Sequence, residues 1–176
     1  MPYLINTPHK TLVLGGARSG KSSYAENLLR EHQGACVYVA TAEAKDSEMA
    51  SRITAHRKRR DKGWCTVEQP IYLVDALEDC CDKNVAVLVD CLTLWIANLM
   101  GFEKNVEEEI DRLVSILPNL QGRLIFVSNE VGLGIVPDNI LARRFRDLSG
   151  QLNQFLAASV EEVVLVTAGL PVKIKP

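Results

Sequence analysis

The sequence lacks the features that mark disulfide-rich, zinc-binding and strongly charged proteins. Its five cysteines are odd in number and none stands in a C-x-x-C pair, which argues against a disulfide framework and a zinc knuckle. Its 20 basic and 22 acidic residues leave a net charge of -2, so no overall field attracts nucleic acid or an anionic membrane. Any anion-binding site must therefore be local.

A long uninterrupted apolar run is also missing. Residues 1–10 contain two prolines and no apolar core of the kind found in signal peptides, and the apolar stretch over residues 85–100 is interrupted by polar residues such as Asp90. We therefore expect no secretion signal and no membrane span, and the cysteine pattern favours a location in the reducing cytoplasm. Without internal repeats or low-complexity segments, the 176 residues predict one domain over 11–176 that follows a loose lead-in over 1–10.

What the sequence does contain is a glycine-bearing turn between an apolar strand and a helical pattern. Residues 11–22 are T-L-V-L-G-G-A-R-S-G-K-S, in which Gly15, Gly20, Lys21 and Ser22 match the spacing G-x-x-x-x-G-K-S. Glycines let backbone N–H groups converge on a phosphate, and the following helix N-terminus adds positive potential. The lysine supplies a cation and the serine hydroxyl is a ligand for Mg²⁺. This segment predicts a loop that binds a nucleoside triphosphate.

The rest of the chain alternates short apolar runs with helical patterns. Strands are predicted at 12–14, 35–40, 64–68, 85–90, 122–128, 163–168 and 172–175. Helices are predicted at 22–31, 46–60, 71–81, 92–100, 106–117 and 138–160, the last one capped by Asp138. Runs that are apolar throughout are typical of a parallel sheet with helices on both faces. We therefore predict an α/β fold of the P-loop NTPase class, with a RecA-like, mostly parallel sheet.

A carboxylate, Asp90, ends the apolar run at 85–90. In P-loop proteins a carboxylate at such a place organises the water shell of Mg²⁺, because a cation that bridges phosphates needs oxygen ligands from the protein. The alternative is an acidic residue that merely ends a strand. With the phosphate-binding loop present, we favour a magnesium site formed by Ser22 and Asp90.

A basic row lies in the predicted helix at 46–60. If this segment is helical, Arg52, His56, Arg59 and Arg60 share one stripe of its surface. Spacing alone favours a solvated basic face. Beside a nucleotide site, however, arginines suit a polyphosphate, and their charge favours the neutral imidazole, which is the form that can attack phosphorus. His56 is therefore a candidate nucleophile.

Several segments together resemble one known family. They are G-G-A-R-S-G-K-S at 15–22, M-A-S-R-I-T-A-H-R at 49–57, D-C-L-T-L-W at 90–95 and S-N-E-V-G-L-G-I-V-P-D-N at 128–139. This ordered set resembles the bifunctional adenosylcobinamide kinase / adenosylcobinamide-phosphate guanylyltransferase of cobalamin assembly. The resemblance covers nearly the whole chain from Thr11, and its segments R-I-T-A-H-R and N-E-V-G-L-G-I-V-P are specific to that family.

The resemblance implies an enzyme with two steps and a homotrimeric assembly. In the first step, the γ-phosphoryl group of ATP or GTP moves to adenosylcobinamide; in the second, GMP moves from GTP to that phosphate through a guanylylated histidine, and pyrophosphate leaves. His56 occupies the position of this histidine, and Lys21 is the second implied catalytic residue. The implied nucleotide-binding residues are Gly15, Gly16, Ala17, Arg18, Ser19, Gly20, Lys21, Ser22, Ala40, Thr41, Ala42, Arg57, Lys58, Arg59, Arg60, Glu68 and Asp90.

Reasoning from the residues alone leaves two other functions open. One is a P-loop kinase for another small molecule, in which His56 belongs to an ordinary basic face and no pyrophosphate is released from GTP. The other is a RecA-like nucleotide-gated module that binds nucleic acid through the basic run 57–60. Because the net charge is near zero and no aromatic residues are interleaved with that run, we expect no nucleic-acid partner.

Overall fold

The centre of the molecule is a seven-stranded, mostly parallel sheet. The computed structural model describes residues 9–44, 47, 51, 53–54, 57, 60 and 63–176. Its strands are β1 His9–Gly15, β2 Ala35–Ala40, β3 Trp64–Glu68, β4 Val85–Asp90, β5 Arg123–Asn129, β6 Glu162–Thr167 and β7 Leu170–Lys175. They lie in the order β3-β2-β4-β5-β1-β6-β7, and only the β6–β7 pair is antiparallel. The predicted mostly parallel α/β sheet is confirmed.

Helices cover both faces of this sheet. They are α1 Lys21–Leu28, α2 Leu73–Cys80, α3 Leu92–Gly101, α4 Val106–Ile116 and α5 Ile140–Ser159, with a short 3₁₀ turn at Leu117–Asn119. The described residues of the predicted helix at 46–60 that are helical are Ser47, Ser51, Ile53, Thr54 and Arg57, and most of that segment lies outside the described residues. Within the described part of the chain, no helix is both long and apolar enough to span a membrane.

Two apolar clusters sandwich the sheet because the side chains of each strand alternate between its faces. In β4, Val87 and Val89 join the cluster that contains the buried residues of α2 to α5. Ala86 and Leu88 join the other cluster, together with Ala25 of α1. A strand covered on both faces has no position for a solvated polar side chain, which explains why the sequence of β4 is apolar up to its last residue.

The carboxyl ends of the parallel strands meet at one edge of the sheet. In the register of the pairs, Gly15 lies opposite Asn129, and Ala40 lies opposite both Asp90 and Glu68. These five residues come from five strands that are distant in sequence. Open α/β sheets bind their ligands at this edge, so the fold places the predicted site where such sites form.

The limits of four strands, β1, β5, β6 and β7, differ from the prediction. β6 begins at Glu162 and ends at Thr167, one residue earlier than predicted at each end, and β7 begins at Leu170, two residues earlier than predicted. β1 begins at His9 and not at Leu12, because His9 and Lys10 pair with β5 and therefore do not belong to a loose lead-in. Residues 1–8 of that lead-in lie outside the described residues. β5 runs on to Asn129, one residue beyond the predicted end at Ser128. In β1 and β5 polar residues continue a strand through backbone pairing, which hydrophobic periodicity does not reveal.

The cap of the long helix α5 was also predicted one residue too early. Asn139, not Asp138, is the N-cap, since its side-chain oxygen accepts a hydrogen bond from the N–H of Ala142 at 3.1 Å. Asp and Asn are equally good cap residues, so their order in the sequence could not decide between them.

Candidate nucleotide-binding site

The turn between β1 and α1 is held by hydrogen bonds within itself and to a neighbouring turn. The ammonium of Lys21 donates to the carbonyl of Gly16 at 3.0 Å, and the N–H of Ser19 donates to the same oxygen at 3.2 Å. The carbonyl of Ser19 accepts from the N–H of Gly169, between β6 and β7, at 2.8 Å. These bonds fix the loop and hold the lysine, which is only 7% exposed, against it.

Two glycines of this loop are required by its geometry. A Cβ at Gly15 would lie 2.5 Å from both the hydroxyl oxygen of Ser19 and the carbonyl oxygen of Val166, which is far inside contact distance. Gly20 has a φ of +96°, a conformation that residues with a side chain rarely adopt. The spacing of the motif therefore reflects close packing and backbone conformation at these two positions.

A cavity of about 510 Å³ opens beside this loop at the carboxyl edge of the sheet. The predicted site residues that line it are Arg18, Ser19, Gly20, Lys21, Ser22, Ala40, Ala42, Arg57, Arg60, Glu68 and Asp90. The lining does not include the predicted residues Gly15, Gly16, Ala17 and Thr41. The predicted residues His56, Lys58 and Arg59, and Arg52 of the same basic row, lie outside the described residues.

Some lining residues were not predicted from the sequence. They are Ser23, Tyr38, Ile53, Thr66, Cys91, Leu94 and Asn129. Strand register could have found two of them, since Tyr38 lies opposite Thr66 and precedes Ala40 by the two residues that keep a side chain on the same face. Predicting Asn129 would also have required the strand order, because the pairing of β5 with β1 places it opposite Gly15 at the edge of the sheet that carries the cavity.

Asp90 and the guanidinium of Arg60 are joined through Tyr38. The hydroxyl of Tyr38 donates to the Oδ2 atom of Asp90 at 3.0 Å, and the Cζ atom of Arg60 lies 3.5 Å from the centre of the Tyr38 ring. Burial and then the neighbouring carboxylate of Asp90 raise the pKa of Tyr38 well above its usual range. The tyrosine therefore stays protonated and acts as a donor to the carboxylate.

The strand end beside Asp90 is anchored by Thr41. The buried hydroxyl of Thr41 donates to the carbonyl of Cys91 at 2.7 Å and accepts from the N–H of Cys91 at 2.9 Å. The side-chain amide of Asn98 donates to the carbonyl of Thr41 at 2.8 Å. Although Thr41 is not in the cavity lining, these bonds hold its neighbours Ala40 and Ala42 in place.

Both backbone polar groups of Asn129, the N–H and the carbonyl, form hydrogen bonds with side chains. Its N–H donates to the hydroxyl of Thr93 at 2.7 Å, and its carbonyl accepts from the side-chain amide of Asn153 at 3.3 Å. The residue lines the cavity at the end of β5, the strand between β4 and β1. A polar side chain is thus placed between the strand that carries the phosphate-binding loop and the strand that ends in Asp90.

Arg57 and Glu68, two of the predicted nucleotide-binding residues, form an ion pair in the cavity lining. Their side chains are 53% and 63% exposed. Exposed pairs of this kind contribute little to stability, so both groups can exchange the partner for a ligand at small cost.

The residues present fit a magnesium ion. The hydroxyl of Ser22 and the carboxylate of Asp90 line the same cavity and offer oxygen atoms, the ligand type that Mg²⁺ prefers. In the described part of the chain, no group of three or more His, Cys, Asp or Glu residues could hold a metal. Such a donor set suits a cation that is held by one or two protein groups and otherwise by phosphate oxygens and water.

Comparison with known proteins identifies the family. A family model described as cobinamide kinase / cobinamide phosphate guanyltransferase matches residues 11–174. The chain belongs to this family. The bifunctional adenosylcobalamin biosynthesis protein CobP of Pseudomonas aeruginosa is 45% identical over 168 residues, which cover 94% of this chain and 97% of that protein. The bifunctional adenosylcobalamin biosynthesis protein CobU of Escherichia coli K12 is 40% identical over 179 residues, with 93% and 98% covered. The resemblance seen in the sequence is confirmed.

Solved structures support the fold assignment. The RadB recombinase superposes with a TM-score of 0.54 at 15% identity, with 91% of this chain and 75% of that chain covered. The P4 protein of bacteriophage phi6 in complex with ADP superposes with a TM-score of 0.50 at 15% identity, with 97% and 55% covered. At this identity the likeness concerns the fold alone, and it confirms the predicted RecA-like P-loop architecture.

Proposed function

We propose that this chain phosphorylates adenosylcobinamide with ATP or GTP and then transfers GMP from GTP to the product, giving adenosylcobinamide-GDP and pyrophosphate. One observation carries the proposal. A single cavity collects the phosphate-binding loop, Asp90 and two arginines of the basic row, Arg57 and Arg60. The same triphosphate site is thus lined by groups suited to γ-phosphoryl transfer and by two arginines that follow His56 by one and four residues in the sequence.

In the kinase step, this chain's residues bind the triphosphate and neutralise its charge. The loop over residues 15–22 and the ammonium of Lys21 hold the β- and γ-phosphates. The oxygen of the substrate hydroxyl forms a bond to the γ-phosphorus and gives up its proton to water, while the bond between that phosphorus and the bridging oxygen breaks and ADP or GDP leaves. Ser22 and Asp90 would hold Mg²⁺, which would supply further positive charge to the phosphate oxygens. Catalysis of this kind depends on positioning and charge, which the rigid, hydrogen-bonded loop supplies.

In the guanylyl step, a neutral His56 is the nucleophile. Its ring nitrogen forms a bond to the α-phosphorus of GTP while the bond between that phosphorus and the bridging oxygen breaks, so the electron pair leaves with pyrophosphate. An oxygen of the corrinoid phosphate then attacks the same phosphorus and releases the imidazole. Arg57 and Arg60, which follow His56 by one and four residues, bind the phosphate charge and favour the neutral imidazole.

The proposal includes the assembly, location and domain organisation of the protein. We propose a homotrimer in the cytoplasm, one catalytic domain that includes the whole of β1 from His9 and runs to residue 176, and no nucleic-acid partner. Support for the single domain comes from the continuous seven-stranded sheet and from a family match over 11–174. The net charge of -2 argues against a nucleic-acid partner.

Labelling with GTP that carries radioactive phosphorus at the α-position tests the guanylyl step. We expect an adduct that is labile to acid and stable to base in the unmodified protein and in His32→Ala, and none in His56→Ala. His32 is a suitable control because its ring contacts the carbonyl of Asn84 and it is absent from the cavity lining. Label that persists in His56→Ala would contradict the assignment.

The kinase step is measured in the same variants. Phosphorylation of adenosylcobinamide should survive better than guanylylation in His56→Ala, because the γ-phosphoryl group is transferred without the histidine. An equal loss of both activities would mean that His56 serves folding or general nucleotide binding. A protein that releases no pyrophosphate from GTP in the presence of adenosylcobinamide phosphate would instead be a plain small-molecule kinase.

A further inference from the structure

Tyr38 contacts two groups of the site at once, although it belongs neither to the phosphate-binding loop nor to the basic row. Its hydroxyl hydrogen-bonds the carboxylate of Asp90, and its ring lies under the guanidinium of Arg60. The side chain of Arg60 is 5% exposed, and its Nη1 atom lies 3.9 Å from the carboxylate of Glu26 on α1. Tyr38 is thus the contact between the strand-end carboxylate and the last arginine of the basic row.

Strand register explains why this residue can reach both groups. Ala40 lies opposite Asp90 in the parallel β2–β4 pair, and Tyr38 is two residues earlier on the same face. A long aromatic side chain reaches such a diagonal neighbour. Because the residue itself is 5% exposed and packs in the apolar cluster beside α1, its ring has little freedom to move.

We propose that Tyr38 is a positioning residue for both reactions: its hydroxyl orients the Asp90 carboxylate toward the cation, and its ring seats the Arg60 guanidinium against the nucleotide. This inference rests on the proposed function. It differs from that function in assigning the role to a residue that transfers no group and lies outside the phosphate-binding loop. The two halves of the role belong to different atoms of one side chain, so they can be removed separately.

The hydroxyl is tested through the effect of Mg²⁺ on nucleotide binding, measured by calorimetric titration with ADP in Mg²⁺ and in EDTA. Tyr38→Phe keeps the ring and removes the hydrogen bond. We expect the gain in affinity that Mg²⁺ gives to fall about tenfold, because a hydrogen bond to a charged group is lost, while the affinity in EDTA stays within twofold. In an Asp90→Asn background the same change should have no further effect.

The ring is tested by comparing Tyr38→Phe with Tyr38→Leu. We expect the affinity for GTP in EDTA to fall about fivefold in the leucine variant only, because leucine offers no aromatic face to the guanidinium. Tyr72→Phe is the matched control: Tyr72 is 54% exposed and absent from the cavity lining, so both affinities should stay unchanged. In Tyr38→Phe, the rate of adenosylcobinamide phosphorylation should fall together with the gain in affinity that Mg²⁺ gives.

The outcomes separate this inference from the function on which it rests. The role of the hydroxyl would be overturned if Mg²⁺ raised the nucleotide affinity equally in Tyr38→Phe and in the unmodified protein. It would also be overturned if Tyr38→Phe reduced the Mg²⁺ effect further in an Asp90→Asn background. Equal GTP affinities in the phenylalanine and leucine variants would overturn the role of the ring. Unmodified protein that binds nucleotide without any Mg²⁺ effect would overturn the orientation of Asp90 toward a cation. Because these readouts are nucleotide affinities, they test the role of Tyr38 even if the protein does not turn over adenosylcobinamide. A lack of turnover would count against the proposed function alone.

Discussion

Replacing Thr41 by valine should destabilise the edge of the sheet on which the site is built. The hydroxyl of Thr41 is fully buried and bonds both the N–H and the carbonyl of Cys91. Valine keeps the shape of threonine but can neither donate nor accept. The Cys91 carbonyl still accepts from the N–H of Trp95 at 3.2 Å, whereas the Cys91 N–H loses the hydroxyl as its partner.

The magnitude follows from these two bonds. A hydrogen bond contributes a net of about 1 kcal/mol, and a buried N–H deprived of its partner costs about 1–3 kcal/mol more. We therefore expect Thr41→Val to lower the free energy of unfolding by about 2–4 kcal/mol. For a chain of this length, that change lowers the melting temperature by roughly 5–15 °C.

Thr41→Ser is the matched control, because serine keeps the hydroxyl and loses one methyl group at a cost of about 1 kcal/mol. Urea unfolding followed by circular dichroism gives both free energies, and an unchanged slope with urea shows that the same surface is exposed in each variant. If the valine variant is as stable as the serine variant, the hydrogen bonds to Cys91 do not hold this edge and the reasoning is refuted.

Three further predictions concern the loop, the β6 edge and the cysteines. Gly15→Ala should abolish ATP binding in calorimetric titration, whereas Gly16→Ala should bind nearly normally, because an added Cβ lies 2.5 Å from a backbone oxygen in the first case and meets no described atom within 4 Å in the second. Glu162→Gln should cost about 1 kcal/mol in urea unfolding at pH 7. Burial raises the pKa of Glu162, but the hydrogen bond and charge of Lys173 outweigh it, so the pKa is lowered and this stabilisation is lost as pH falls below about 4.5. Iodoacetamide at pH 8 should modify the exposed Cys65 long before Cys91, because burial raises the pKa of Cys91 to about 12; mass spectrometry of peptides checks this order.

Each of these predictions has a clear contrary result. Unchanged ATP affinity in Gly15→Ala would mean that the loop does not pack against β6 as described. If the unmodified protein and Glu162→Gln still differ in free energy of unfolding at pH 3, the stabilisation by Glu162 is not ionic. Alkylation of Cys91 at the rate of Cys65 would show that the end of β4 opens to solvent.

Much of the fold could be predicted because the relevant patterns are local. β2, β3 and β4 have the predicted limits, since each is a contiguous apolar or β-branched run bounded by polar or turn residues. The errors fall where non-local pairing decides. His9 and Lys10 are polar yet belong to β1 because β5 lies beside them.

The candidate site could be predicted in part for the same reason. The phosphate-binding loop is a continuous segment, so its spacing identifies it without knowledge of the sheet. Tyr38, Thr66 and Asn129 escaped prediction because each enters the cavity only through the register and order of its strand. No short-range pattern distinguishes Tyr38 from an ordinary buried tyrosine.

The sequence by itself determined the phosphate-binding loop, the α/β class and the family, because these depend on residues that are neighbours in the chain and on ordered motifs. Only the tertiary structure decided which residues share the site. Asp90, Tyr38 and Arg60 are far apart in sequence, and they meet because parallel strands bring their carboxyl ends to one edge of the sheet while Arg60 stacks on the Tyr38 ring. The contact through Tyr38 that joins Asp90 to Arg60 is therefore a property of strand order and burial, and no segment of the chain encodes it alone.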